Sequence, residues 1–436
     1  MACGNLASED TGTTTTTELR YPCYVLPVVD FLKLDKFESH AKLLKMGLLR
    51  RWTSRMRKKI IFVSHQWLGY QAVDPDNDHF QALHRMLSRL IAGQVGRVDD
   101  HWSQCLSLDS NSSSSRPRFG DAMRITWSPE KVFRAEAWKS MLPQMCIWMD
   151  YLSMPQLTPS STDLQRAQLM HAVQSVPAYV ELCSLILVLT PVSRHHDTGA
   201  TCNYASWFER GWCRLEIWFA RLCRHKIDIM VCTGGESTPF FLAPSTFKTG
   251  SWDTGKFSCC ELHHQVAGKR IPCDKVRMRS ILNRMIEAKV KYAKNEGHWM
   301  DMLYYSAIRL TPMVGQLETE PLEDSAVEFR KFVNWDHCDK EEAQKAGWSL
   351  LLLAAMCGQN GAVCEILASS PQDIHQSVAG KVGGFPGFVP GLTPMMAAMA
   401  FGNWNTVERL LEARANPLQV TASGSDALMQ ACSMGN

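Results

Sequence analysis

Between Lys58 and Val231 the chain alternates short apolar runs with longer stretches of helical spacing, which more than any other feature limits what it can fold into. KKIIFVSH (58–65), MCIWMD (145–150), LILVLT (185–190) and KIDIMV (226–231) read as strands. HFQALHRMLSRLIA (79–92), LQRAQLMHAVQS (164–175) with AYVELC (178–183), and RGWCRLEIWFARLC (210–223) read as helices, the second bent at Pro177. Such alternation predicts an α/β domain with a parallel sheet covered on both faces. Ligands of such sheets bind beyond the carboxyl ends of the strands. The segments to inspect are therefore SHQW (64–67), DYLSMPQ (150–156) and TPVSRHH (190–196). The polar stretch DDHWSQCLSLDSNSSSSRPRFGD (99–121) reads as a surface insertion, which we bound at about 95–143.

Bulk properties remove several classes. A net charge of +3 over 436 residues gives no reason to expect nucleic acid. Sixteen cysteines without regular spacing, and no secretory signal, point to reduced thiols in a cytoplasmic protein. The longest apolar runs, 185–192 and 350–356, are far shorter than the roughly 20 residues a bilayer needs. No G-x-G-x-x-G or Walker pattern occurs, which argues against a dehydrogenase or P-loop NTPase. Residues 1–40, opening on MACGNLASEDTGTTTTTE, are expected to be a disordered N-terminal segment. The basic cluster that follows, including 50–59, reads as an amphipathic helix over 41–59 packed on the domain rather than a membrane contact.

Within the third helix, Trp212, Leu215, Trp218, Phe219 and Leu222 share one arc, and Glu216 sits at its edge one turn after Trp212. The carboxylate could brace its helix, for example through Arg210, or serve chemistry. Ser64 and His65 suggest a nucleophile and a base, but neighbouring strand residues point to opposite faces, so they should not pair directly. Asp150, at a strand end, could cap the following loop or orient a ligand. CCELHH (259–264) with Cys273 holds zinc-compatible residue types, but the spacing fits no standard site. No metal is expected there, only free thiols and surface histidines.

Near the C-terminus, GWSLLLLAAMCG (347–358), GLTPMMAAMAFG (391–402) and GSDALMQACSMG (424–435) repeat one pattern. The second step, Gly391 to Gly424, is 33 residues, and GLTPMMAAMAFG resembles the ankyrin opening G-x-T-P-L-x-x-A-x-x-x-G. The first step is longer because the Gly- and Pro-rich stretch 371–390 holds an insertion. We therefore expect a C-terminal all-α ankyrin repeat stack over 345–436, binding a protein partner, after a helical connector at 276–340. Because the third repeat is truncated at Asn436, the chain is expected to be a fragment, or covered at that end, and its isolated C-terminal region to self-associate.

IIFVSH (60–65), WMD (148–150), SVPAYVELCSLILVLTP (175–191) and WCRLE (212–216), in that order, resemble a Toll/interleukin-1 receptor (TIR) domain. WMDYLSMPQ (148–156) and RGWCRLE (210–216) lean toward the related heterokaryon-incompatibility domain. The resemblance covers roughly residues 58–232 and implies a flavodoxin-like parallel sheet, within a domain we bound at 41–275. In many TIR domains the glutamate of Trp-Cys-x-x-Glu serves cleavage of NAD, which carries that role to Glu216, with NAD as substrate rather than cofactor. A carboxylate beside the ribose stabilises the positive charge that develops as nicotinamide leaves. Flat nicotinamide and adenine rings call for aromatic neighbours, for which Trp67, Tyr70, Trp148 and Trp212 are candidates. Many TIR domains are instead adaptors that work by self-association, and that alternative stands beside the enzyme reading. The insertion and the HQW after Ser64 depart from the family pattern.

Overall fold

The computed structural model describes residues 18–100, 106–108, 125–127, 132–158, 160–242, 251–266, 269–312, 314–315, 317, 321–379, 388–422 and 424–434. The chain divides into two compact units, the first ending near residue 243.

The first unit is built on a seven-stranded mixed sheet. Its strands are β1 (Tyr24–Pro27), β2 (Arg50–Arg51), β3 (Ile60–His65), β4 (Cys146–Trp148), β5 (Leu185–Leu189), β6 (Asp228–Cys232) and β7 (Phe240–Leu242), ordered β7-β6-β5-β3-β4-β1-β2. The four strands expected from the sequence form its parallel centre, β6-β5-β3-β4. From β3 the chain goes first to β4 on one side and then to β5 on the other, so the order reverses at β3. In open α/β sheets ligands bind at such a reversal, beyond the carboxyl ends of the strands.

Alternation along the strands sends side chains to two helical layers. Ile61 and Val63 pack in a core with Phe80, Leu83, Met86 and Leu87 of α1 (Asp78–Ala92). On the other face Phe62 stacks on Trp148, which touches Tyr179 of α2 (Asp163–Leu182). Pro177 lies inside α2, which runs as one helix rather than two segments. Two further helices follow β5: α3 (Tyr204–Glu209) and α4 (Gly211–Leu222), which packs against α2.

Three expectations are corrected. Residues 24–40 are not a disordered lead: β1 pairs antiparallel with both β4 and β2, and Val25, Leu26, Val28 and Phe31 are fully buried. The basic segment 41–59 forms no continuous helix. A short turn, His40–Lys45, stops at Gly47 (φ +69°), and Arg50–Arg51 become an exposed edge strand, as charged residues on a sheet edge often do. Finally, the first unit ends before 275, because β7 closes the sheet edge antiparallel to β6. Most of the insertion lies outside the described residues; at its base Arg97–Asp99 pairs with Val132–Arg134.

In the second unit, α5 (Asp274–Glu296) and α6 (Trp299–Ala307) pack together across Gly297, which ends α5 at φ +71°. The segment before α5 gathers Cys259, Cys260, His264 and Cys273 into one cluster. The repeats follow as helix pairs: α7 (Leu350–Cys357) with α8 (Asn360–Ser369), then α9 (Pro394–Ala400) with α10 (Trp404–Glu412), then α11 (Ala427–Met434). Gly347, Gly391 and Gly424 all adopt positive φ, so the repeated glycine marks a left-handed turn ahead of α7, α9 and α11. Ser349 and Thr393 cap their helices by accepting from Leu352 N and Met396 N, and α7 and α11 each pack on α9. Among the described residues, no helix is long and apolar enough to cross a membrane.

Candidate functional site

The carboxyl end of β3 carries neighbouring residues that face opposite ways. Ser64 shares the face of Phe62 and points toward α4; it is completely buried. Its hydroxyl donates to Glu216 Oε2 at 2.5 Å and accepts from Trp207 Nε1 at 3.0 Å. Glu216 therefore takes a serine hydroxyl rather than a guanidinium, and the hydroxyl aims its carboxyl at the strand end.

His65 shares the face of Val63 and reaches the other way. Its Nε2 lies 3.1 Å from Asp150 Oδ1, and its ring meets His79 of α1 edge-on with centroids 5.7 Å apart. Asp150 opens the single-turn helix after β4 and also accepts from Trp67 Nε1 at 2.8 Å and Tyr151 N at 2.6 Å. It both caps its loop and ties the SHQW segment to the end of β4. The third segment joins from β5: Asp197 accepts from Tyr70 N at 2.8 Å, and the His195 ring packs on Tyr70 at 4.9 Å.

The two carboxyls are held in opposite states. Burial raises Glu216 from its ordinary 4.5 to about 8, the Asp150 charge adds to the rise, and the Ser64 hydroxyl opposes it. Burial also works against ionisation of Asp150, but hydrogen bonds from His65, Trp67 and Tyr151 N outweigh it and hold that carboxyl below its ordinary value. Asp150 keeps 37% of its side chain exposed, so the ionised member of the pair faces solvent. Two acids pushed apart in this way suit an acid and a base within one site. Burial lowers His79 to about 3, and the nearby His65 contributes, so the ring behind His65 stays neutral.

Of the residues nominated from sequence, Ser64, His65, Trp67, Asp150 and Glu216 gather around the end of β3, and Tyr70 borders them. Trp212 lies one turn before Glu216 and is partly exposed. Trp148 is corrected: it is 1% exposed, stacked on Phe62 at 4.5 Å, and its indole N–H has no acceptor among the described residues. It is a core aromatic. Ser64 is likewise fully enclosed, and its hydroxyl is engaged with Glu216.

Three contributors were not nominated. Trp207 holds Ser64, Gln66 accepts from Ser206 Oγ at 3.1 Å, and Cys213 Sγ donates to the His65 carbonyl at 3.7 Å. Gln66 and Cys213 stand inside motifs quoted for other residues. Trp207 could have been found only by asking which acceptor its buried N–H would need.

In comparisons with known proteins, the ankyrin repeat family model matches residues 390–422, which include α9 and α10. The C-terminal region thus contains an ankyrin repeat, a module suited to binding other proteins. No curated protein matches the chain.

Proposed function

We propose that the first unit is a TIR-like domain that hydrolyses the nicotinamide–ribose bond of NAD, and that the ankyrin region brings it to a protein partner. The observation carrying this reading is the Ser64–Glu216 pair at the strand-order reversal, beside a solvent-facing, ionised Asp150. The strand order β4-β3-β5-β6 is that of flavodoxin-like sheets, which bind ligands at this reversal.

In the reaction, water adds to the ribose carbon, the carbon–nitrogen bond breaks, and nicotinamide, ADP-ribose and a proton are released. Nicotinamide leaves as a neutral base, so positive charge builds on the ribose. Ionised Glu216 would face that charge, and Asp150 would add to the negative field. A cationic substrate favours the ionised form of Glu216 and so draws its proton off on binding. Trp67, Tyr70 and Trp212 are partly exposed aromatics whose rings could stack on flat substrate rings. The free cysteines suit a reducing, cytoplasmic setting.

A scaffold without catalysis is the second reading. It is favoured by the Trp207–Ser64–Glu216 chain, whose hydrogen bonds form without any ligand. The test is nicotinamide release by the full chain, because β1 belongs to the sheet and truncation at residue 40 would remove it. Glu216→Gln keeps size but removes charge and should cost on the order of 10²-fold in kcat/KM. Wild-type kcat/KM should climb as pH approaches the free-site value near 8. No nicotinamide from clustered wild-type protein would leave self-association of the TIR-like unit and partner binding as the function.

A further inference from the structure

We propose that Cys259, Cys260, His264 and Cys273 form a structural zinc site at the base of α5. This replaces the expectation, drawn from spacing, that the segment holds no metal. The four residues converge from three places: Cys259 and Cys260 on the single-turn helix Ser258–Glu261, His264 on the turn after it, and Cys273 after the strand pair that leads into α5. Their ligand atoms all lie within 4.8 Å of one another.

The separations match the ion. Four ligands about 2.1–2.3 Å from a tetrahedral zinc lie about 3.5–3.8 Å from each other. Cys260 Sγ is 3.9 Å from Cys259 Sγ, 3.9 Å from Cys273 Sγ and 3.6 Å from His264 Nε2. The backbone is shaped around the cluster as well. His263 and His264 both adopt left-handed φ (+50° and +57°), an uncommon conformation for side-chain-bearing residues, and His264 N donates to Cys259 O at 2.7 Å. Asp274 N, the first amide of α5, donates to Cys259 Sγ at 3.5 Å, the kind of outer contact that steadies a thiolate ligand.

Four protein ligands fill a tetrahedral shell and leave no open position, so the site is structural rather than catalytic. Three thiols and one imidazole select zinc over magnesium or calcium. Binding displaces the thiol protons to solvent, one for each thiolate formed, so retention should weaken in acid. The ion would pin the paired strands Gln265–Val266 and Lys269–Arg270 to the start of α5, where Cys273 supplies no side-chain cap.

The test is metal content of the full chain, expressed with zinc and purified without chelator. Mass spectrometry of the metal should find near one zinc per chain. Cys260→Ser and Cys273→Ser should each lose at least 80% of it, while Cys364→Ser, outside the cluster, should keep it. Replacement by cobalt keeps the proposal falsifiable if a variant misfolds. The wild-type chain should then give the visible bands of a tetrahedral three-thiolate site and a thiolate-to-metal band below 400 nm. Chelation should lower the melting temperature of wild type. Wild-type protein with less than 0.1 zinc per chain and no cobalt spectrum would overturn the site, as would a disulfide joining Cys260 to Cys273 in protein isolated under reducing conditions.

Discussion

The sheet unit and the repeats bury polar groups to different ends. At the end of β3 the polar groups are titratable side chains and their hydrogen-bond partners, drawn from distant parts of the chain; Ser64 and Glu216 are 152 residues apart. In the repeats the interior is Leu, Ala and Met, and polar side chains mainly serve the backbone. Asn403 Nδ2 donates to the carbonyls of Ala355 at 3.0 Å and Met356 at 2.8 Å, and Ser349 and Thr393 cap helices. The first arrangement tunes charge at one point, whereas the second leaves outward side chains free to vary for recognition. The sheet unit should therefore respond to pH and charge removal, and the repeats to backbone geometry.

The largest effect expected from that contrast is at Gly347. Its φ of +72° suits glycine, and an added Cβ would collide with the Ser377 carbonyl oxygen and crowd Ala379 N. Gly347→Ala should destabilise the second unit by about 3 kcal/mol or more in urea unfolding. Nicotinamide release, if present, should persist in native protein. A loss below about 0.5 kcal/mol would mean that the turn relaxes and that the repeated glycine does not set the repeat geometry.

Asn403→Ala should come next. It removes the donor from two carbonyls at the end of α7, at a cost of about 1–3 kcal/mol. Unfolding midpoints measured at pH 6 and pH 8.5 should fall by equal amounts, since the lost contacts do not titrate. Unequal shifts would break the division between a charge-tuned unit and a geometry-tuned one.

Legibility follows the same line. The strands β3 to β6 could be read because apolar runs bounded by polar residues need no partner to be recognised, and the repeats because their period is in the chain itself. Tyr24–Pro27 was hidden by the low-complexity stretch before it and by the proline that ends it. The basic helix failed because Gly47 and the exposed Arg50–Arg51 edge matter more than the spacing of Leu48, Leu49 and Trp52. At the site, residue types at strand ends could be nominated, but neither the Ser64–Glu216 pairing nor the burial of Trp148 follows from local pattern. Both depend on which sheet face each side chain takes and on which helix covers it. Spacing gives no sign of the Cys–His cluster, because its members meet through a left-handed turn and a strand pair, which no linear motif encodes.

The smallest predicted effect is the most specific to the sheet unit. Folding raises the Glu216 carboxyl from its ordinary 4.5 to about 8, mainly by burial. The folded chain thus keeps a proton that the unfolded chain has released. Stability from this group is complete below about pH 4.5, declines as pH rises through the window, and reaches its floor above pH 8. Glu216→Gln has no such slope. Asp150, held below its ordinary value, acts in the opposite sense and only as acid protonates it, outside this window. Subtracting the melting temperatures of wild type from those of Glu216→Gln between pH 5 and 9 cancels every group whose titration the two share. Glu216 is partly exposed, so water tempers the penalty, and the difference should grow toward alkaline pH by roughly 3 °C in favour of the variant. Parallel curves would mean that Glu216 ionises freely in the folded chain. The Ser64 hydroxyl would then be bracing an ordinary surface carboxylate, and the scaffold reading would take precedence.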